Sequence, residues 1–376
     1  MIFHLRLTID DLRTATDKRQ SLRLVAWLSL CSLAFIPQAS AETSNDWRQL
    51  SRANLLQFVT SGKVMSVQSV EDWQKRRESI KAAMQEVMGP LPGVEKRCAL
   101  EVRVEEQTVL GDYVRQFISY AAEPNERVSA YLLLPAGALT ARREFPAVLA
   151  LHQTHPLGQK VVVGLSNSTN DEYGVSLVKR GFVVLAPPYP LLANYQPDLK
   201  KLGYVSGTMK AIWNNIRGLD LLESLSCVRT NGFGAIGHSL GGHNSIYTAV
   251  FDERIKVVVS SCGFDSFRDY MNGNIRGWTS ERYMPRLLEY PLTGLPFDFY
   301  EVIAALAPRR VFVNAPLGDT NFKWQSVDAV CGQASKIYGL YGASDRLIVE
   351  HPDCEHRFPK EMQERAFELM EQVLKR

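Results

Sequence analysis

The chain has 376 residues, 45% hydrophobic and 22% charged, with 43 Lys and Arg against 40 Asp and Glu for a formal net charge of +3. That balance describes a globular chain long enough to bury its own core, and excludes disordered, collagen-like and disulfide-held classes. No Lys/Arg-rich run stands out, which argues against nucleic acid or an anionic surface as the main partner.

The first segment reads as a secretory signal peptide. Arg23 precedes a 13-residue apolar run, Leu24 to Ile36, and a small-residue site follows at Ala39, Ser40 and Ala41. The run is short for a membrane span, so no stable membrane insertion is expected and the product is secreted or periplasmic. The charged stretch before Arg23 is long for such a signal, which also fits a start codon further downstream. Cleavage after Ala41, 376 less 41, leaves 335 residues and five cysteines: Cys98, Cys227, Cys262, Cys331 and Cys354. An odd number leaves at least one thiol free or bonded between chains. None sits in C-x-x-C, so a zinc or redox site has no support there.

Residues 42–94 form an N-terminal segment whose helix, "SVEDWQKRRESIKAAMQEVMG", stops at Gly89-Pro90. Residues 95–376 form the main domain. "ALEVRVEEQTV", "YVRQFISYAA" and "RVSAYLLLP" alternate with period two and predict antiparallel strands at a sheet edge. From residue 145 apolar strands alternate with helical stretches. "FPAVLALHQ", "FVVLAPPYP", "GFGAIGHS", "IKVVVSSCG", "RRVFVNAPLG" and "LIVEHPD" are near-continuously apolar, as parallel strands covered on both faces are. Residues 264–299, rich in Trp, Tyr, Pro and Arg, interrupt the rhythm as a lid-like insertion at the strand C-termini.

The stretch "NGFGAIGHSLGGHNSIYTA" carries Gly237, His238, Ser239, Leu240 and Gly241 in the spacing G-x-S-x-G. A short apolar strand turns there into a helix. Such a turn strains the central residue and leaves its neighbours no room for a Cβ, so Ser239 is expected at a nucleophile elbow with its hydroxyl at the sheet edge. A serine needs a base in hydrogen-bond reach and a carboxylate to orient that base. His356, in the polar loop "PDCEHRFP" after the last strand, is the favoured base, with His351 its chief rival. Asp319, just beyond "VFVNAPLG", is the favoured acid and Asp265 the second; Asp345 lies at the wrong end of the last strand, and Asp328 falls on a helix. His238 flanks the nucleophile and is expected to point away from it, and His243, on the following helix, is expected to pack. The backbone N–H groups of Leu240 and Gln153 are expected to form an oxyanion hole. "HPDCEH" also reads as a metal cluster of His351, Asp353, Cys354 and His356, but no catalytic-zinc spacing accompanies it, so neither metal nor cofactor is expected. The insertion offers Trp278, Tyr283, Tyr290 and Phe297 as an aromatic wall, with Trp278 and Tyr283 as substrate contacts and Arg276, Arg282 and Arg286 as cationic donors.

With "GHSLGGHN", "FDERIKVVVSSCGF", "APRRVFVNAPLGD" and "PDCEHRFP", residues 90–376 resemble the α/β-hydrolase superfamily, and within it the dienelactone-hydrolase-like and acetyl-xylan-esterase-like serine esterases. The chain order Ser239, Asp319, His356 is the order of that superfamily. The resemblance implies a doubly wound, mostly parallel sheet and an exported serine hydrolase that cleaves a small-molecule or carbohydrate ester through an acyl-enzyme. The chain departs from dienelactone hydrolases in having Ser239 where they carry cysteine. It lacks the R-G-Q and H-E motifs of one acetyl-xylan-esterase family and the G-C-S-R-x-G-K nucleophile of glucuronoyl esterases. A prolyl-oligopeptidase-like peptidase and a non-catalytic binding protein of the same fold are the rival readings.

Overall fold

The computed structural model of the chain describes residues 46–376 apart from residue 169; the signal peptide read over residues 1–41 lies outside the described residues. A hairpin of β1 (Gln57–Thr60) and β2 (Lys63–Ser66) comes first. Its two-residue turn, Ser61-Gly62, has positive φ at both positions, the conformation whose twist matches paired strands. Helix α1 (Val70–Met88) follows, started by the Ser69 hydroxyl accepting from the Asp72 N–H and stopped at Gly89, φ 91°. Trp73, Ile80, Met84 and Val87 recur on one face of α1 and are fully buried in the core of the main domain.

Nine strands form one sheet. In chain order they are β3 (Arg103–Leu110), β4 (Tyr113–Glu123), β5 (Glu126–Pro135), β6 (Phe145–Leu151), β7 (Val183–Ala186), β8 (Val228–His238), β9 (Ile255–Ser261), β10 (Arg310–Asn314) and β11 (Leu347–Glu350). Their spatial order is β11-β10-β9-β8-β6-β7-β5-β4-β3. The six from β11 to β7 are parallel, and β5, β4 and β3 continue antiparallel, as the alternation in their sequences requires. The helices are α2 (Tyr173–Lys179), α3 (Gly207–Ser224), α4 (Leu240–Phe251), α5 (Phe299–Ala304), α6 (Trp324–Leu340) and α7 (Lys360–Leu374). β6 shows why its run is continuously apolar. Ala147, Leu149 and Leu151 pack in the core shared with α1, α3, α4, α5 and α6, while Val148 and Ala150 pack against α2 and α7. The chain leaves β6 toward β7 and then returns to β8 on the other side, so the order of connections reverses between the parallel strands β6 and β8, the point at which such sheets open a crevice beyond the strand C-termini. No described helix is long and apolar enough to cross a membrane. All five described cysteines are free thiols.

The insertion between β9 and α5 is woven into the domain rather than laid over it. Its 3-10 turns span Tyr270–Gly273, Ile275–Trp278, Pro285–Glu289 and Leu292–Gly294. The Gly207 N–H that opens α3 donates to the Glu281 carbonyl at 2.9 Å, and a Cβ on residue 207 would stand 2.3 Å from the Arg282 carbonyl oxygen. Two residues expected in an aromatic wall serve the fold instead. Phe297 is fully buried in the core, and Tyr290 lies edge-on to Trp47 while its hydroxyl donates to Glu86 on α1.

The insertion ends in a buried ion cluster. Glu301 Oε1 accepts from Arg76 of α1 at 2.5 Å and lies 3.2 Å from the Arg52 guanidinium, while its second oxygen accepts from Arg52 at 3.4 Å and from the Asp298 N–H at 3.2 Å to complete a capping box at α5. Arg76 and Glu301 are both fully buried. A buried pair gains little over apolar packing, but removal of one partner strands the other charge. Glu301→Gln should therefore lower unfolding stability by about 3 kcal/mol, measured by urea denaturation at neutral pH; a loss below about 1 kcal/mol would show that water reaches Arg76.

Candidate active site

Ser239 joins β8 to α4 at φ 52°, ψ −118°, a strained conformation for any residue with a side chain. Its neighbours explain the glycines. A Cβ on Gly237 would stand 2.2 Å from the Gly241 carbonyl group, and one on Gly241 would stand 1.9 Å from the Leu151 carbonyl oxygen at the end of β6. Gly242 packs on Gly263, less tightly: a Cβ there would come within 2.9 Å of its Cα. The Ser239 N–H donates to the Ser261 carbonyl at 2.8 Å, which ties the elbow to β9.

The loops after β10 and β11 run side by side beyond the sheet. The N–H groups of Ala315, Leu317 and Gly318 donate to the carbonyls of Glu350, Pro352 and Cys354 at 2.9, 3.1 and 3.0 Å. Gly318 is needed for this approach, since a Cβ would come within 2.9 Å of the Cys354 oxygen. The two loops thereby bring Asp319 to His356. Nδ1 of His356 donates to the Asp319 carboxylate at 2.9 and 3.0 Å, and Nε2 lies 3.0 Å from Ser239 Oγ. A carboxylate only accepts, so Nδ1 carries the proton and Nε2 presents a lone pair to the serine hydroxyl. Burial works against the Asp319 charge. The His356 hydrogen bond and charge, with the N–H groups of Phe322 and Asn321 at 3.1 and 2.8 Å, outweigh it and hold the carboxyl below its ordinary range.

The rivals are engaged elsewhere. His351 pairs with Asp328 of α6 at 2.9 Å and donates from Nδ1 to the Ala315 carbonyl. Asp345 lies 3.6 Å from Arg310. Asp265 accepts from the Lys323 N–H at 3.2 Å, and burial raises its carboxyl to about 7. The two histidines of "HPDCEH" are thus bonded to different carboxylates, His351 to Asp328 and His356 to Asp319. Among the described residues, Cys262, Asp319 and His356 do place one ligand atom each within 4.8 Å of one another, but the last two are already bonded together. His238, expected to point away, packs against His356 at 4.9 Å between ring centroids, with Nδ1 3.0 Å from Ser261 Oγ; burial lowers its pKa to about 3, so it adds no charge beside His356. This contact has no signal in the sequence beyond adjacency to Ser239.

On the donor side, Leu240 opens α4, where no intrahelical carbonyl is available to its N–H. Gln153 follows His152 after β6, and its N–H makes no hydrogen bond among the described residues. His152 fixes this loop: its Nδ1 donates to the Gln153 carbonyl at 2.8 Å and its Nε2 accepts from the Tyr189 N–H at 3.0 Å.

A cavity of about 230 Å³ opens at Ser239, lined also by Thr154, His243, Trp278, Tyr283 and Phe322. Trp278 and Tyr283 thus lie where sequence expected them, although Trp278 is buried. The arginines do not. Arg282 donates to the Leu191 carbonyl, Arg286 to the Glu86 carbonyl, and Arg276 is exposed; none lines this cavity, whose walls carry no charged side chain.

No family model matches the chain. It is 23% identical over 273 residues to the protein of Bacillus subtilis named "Putative hydrolase YtaP", an alignment covering 69% of this chain and 87% of that one. Among solved structures it is similar to a glucuronoyl esterase from Solibacter usitatus, at 19% identity and a TM-score of 0.64, covering 85% of this chain and 97% of that one. It is also similar to a glucuronoyl esterase from Caldicellulosiruptor kristjansonii, at 20% identity and a TM-score of 0.61, covering 82% and 87%. The strand order, the flanking helices and this likeness agree: the chain has the α/β-hydrolase fold.

Proposed function

We propose that the chain is a serine hydrolase that cleaves carboxylic esters through an acyl-enzyme, with Ser239 as nucleophile, His356 as base and Asp319 as its orienter. The observation that carries the reading is the unbroken hydrogen-bond chain from Ser239 Oγ through both His356 nitrogens to Asp319. As Oγ attacks the ester carbonyl its proton passes to Nε2, and the Asp319 carboxylate stabilises the imidazolium. The developing oxyanion would meet the Leu240 and Gln153 N–H groups, beside a helix N-terminus. Nε2 then protonates the departing alkoxide, and water, deprotonated by the same nitrogen, releases the acid. Ester rather than peptide cleavage is favoured by the likeness to proteins named as esterases. Trp278 and Tyr283 would contact the substrate group that enters the cavity.

Ser239→Ala should cut hydrolysis of p-nitrophenyl esters by several orders of magnitude and abolish labelling by a fluorophosphonate probe. Equal labelling of variant and parent, or turnover of aminoacyl-nitroanilides in place of esters, would refute this assignment.

Asp319→Asn should cost about 10³- to 10⁴-fold in kcat, because the amide carries no charge to stabilise the imidazolium and can turn an N–H donor toward Nδ1, favouring the wrong His356 tautomer. Asp265→Asn should stay near the parent, because Asp265 bonds Lys323 and not His356. The same variant reports on pH. A carboxyl raised to about 7 holds a proton in the folded state that the unfolded chain releases near pH 4, so stability falls as pH rises between those values. Asp265→Asn should flatten that fall in a series of urea melts from pH 4 to 8.

We further propose export, from the signal-like segment ending at Ala41. Expression from the full open reading frame in a secreting host should yield a product whose mass and N-terminal sequence begin at Glu42; an intact N-terminus on the exported protein would exclude that cut.

A further inference from the structure

His243 stands one helical turn beyond Ser239 on α4 and lines the same cavity. Its Nδ1 lies 3.2 Å from the Gly263 carbonyl oxygen. A carbonyl only accepts, so Nδ1 carries the proton and Nε2 is left with a lone pair. Burial lowers the ring's pKa to about 3, which keeps it neutral in ordinary buffers. Nε2 has no hydrogen-bond partner among the described residues, and the residue is 4% exposed.

An unpaired buried acceptor costs about 1–3 kcal/mol, and native cores rarely leave one without a use. Around the imidazole stand the rings of Trp278 at 4.7 Å, Tyr247 at 5.8 Å and Tyr283 at 5.9 Å. Trp278 lines the same cavity, and its Nε1–H is likewise buried without a partner. One acceptor and one donor, both unused, thus lie on two residues that line the cavity at Ser239, whose walls carry no charged side chain. A carboxylate would set lone pairs against the lone pair of Nε2 and would find no cation there. An alkyl group would leave both nitrogens unpaired. A hydroxyl can donate to Nε2 and accept from Nε1–H.

We propose that His243 is a specificity-determining acceptor, and that the cavity takes the hydroxyl-bearing part of a neutral ester whose O–H donates to His243 Nε2. The inference rests on the esterase reading of Ser239. The hydroxyl can belong to the acyl or the alcohol part of the ester, and two substrate pairs separate these cases: methyl 4-hydroxycinnamate against methyl cinnamate, and glyceryl monobutyrate against propyl butyrate. The parent protein should prefer the hydroxylated member of one pair by about tenfold or more in kcat/KM, as sites built around a polar group do. His243→Phe fills the ring's space without an acceptor and should collapse that ratio. His243→Gln, whose side-chain carbonyl can accept, should restore part of it. A packing role alone would lower both members of a pair together and leave the ratio as in the parent, which overturns the proposal. So does a parent protein with no preference in either pair, a result available even where a variant fails to fold. Failure of the esterase reading looks different: none of the four esters is cleaved and a fluorophosphonate leaves Ser239 unlabelled.

Discussion

The approach of residue 241 to the Leu151 carbonyl is the contact on which the rest of the site depends. A Cβ at that position would stand 1.9 Å from the oxygen, well inside any tolerated separation, so the first turn of α4 reaches the end of β6 only because Gly241 has none. This one approach sets three things at once. It leaves room for the strained backbone of Ser239, it brings residue 241 to the His152 carbonyl, where a Cβ would stand 3.0 Å from the oxygen at the start of the Gln153 loop, and it locates the elbow where the winding reverses between β6 and β8.

Asp319 and His356 reach the elbow by another device. β9, β10 and β11 stop within a residue or two of one another in register, and the loops after β10 and β11 keep exchanging backbone hydrogen bonds past the last paired residues. Asp319 and His356 are therefore carried on what is nearly a continuation of the sheet, with little freedom to drift. Asn314 adds to this by donating to Ser261 Oγ at 2.7 Å and to the Arg357 carbonyl at 2.9 Å. Side chains at four strand ends are thus held through backbone and short polar links rather than by long, mobile ones.

Much of this was legible in the sequence because it follows from local rules. Continuous apolar runs marked the parallel strands, G-x-S-x-G marked the elbow, and the position of a carboxylate or histidine just past a strand separated Asp319 from Asp345. What was not legible depends on contacts across the chain. The hairpin at Gln57–Ser66 is short and largely exposed, so its pattern carries little burial signal. Composition suggested that the aromatics and arginines of residues 264–299 would face a substrate together. The structure divides them: Phe297 and Tyr290 pack inward or on α1, the arginines bind backbone carbonyls or lie exposed, and Trp278 and Tyr283 meet the cavity together with Tyr270. The unpaired nitrogens of His243 and Trp278 are invisible from spacing, because a histidine on an apolar helix face is ordinarily a satisfied core residue.

The neutrality of the cavity has a kinetic side. Charged clefts gather oppositely charged ligands from a distance and speed their arrival, with a gain that salt removes. A cavity whose walls carry no charged side chain offers no charge of its own for such gathering. The walls themselves can then discriminate only after a ligand has entered, by fit against the aromatic rings and by pairing of hydrogen-bonding groups.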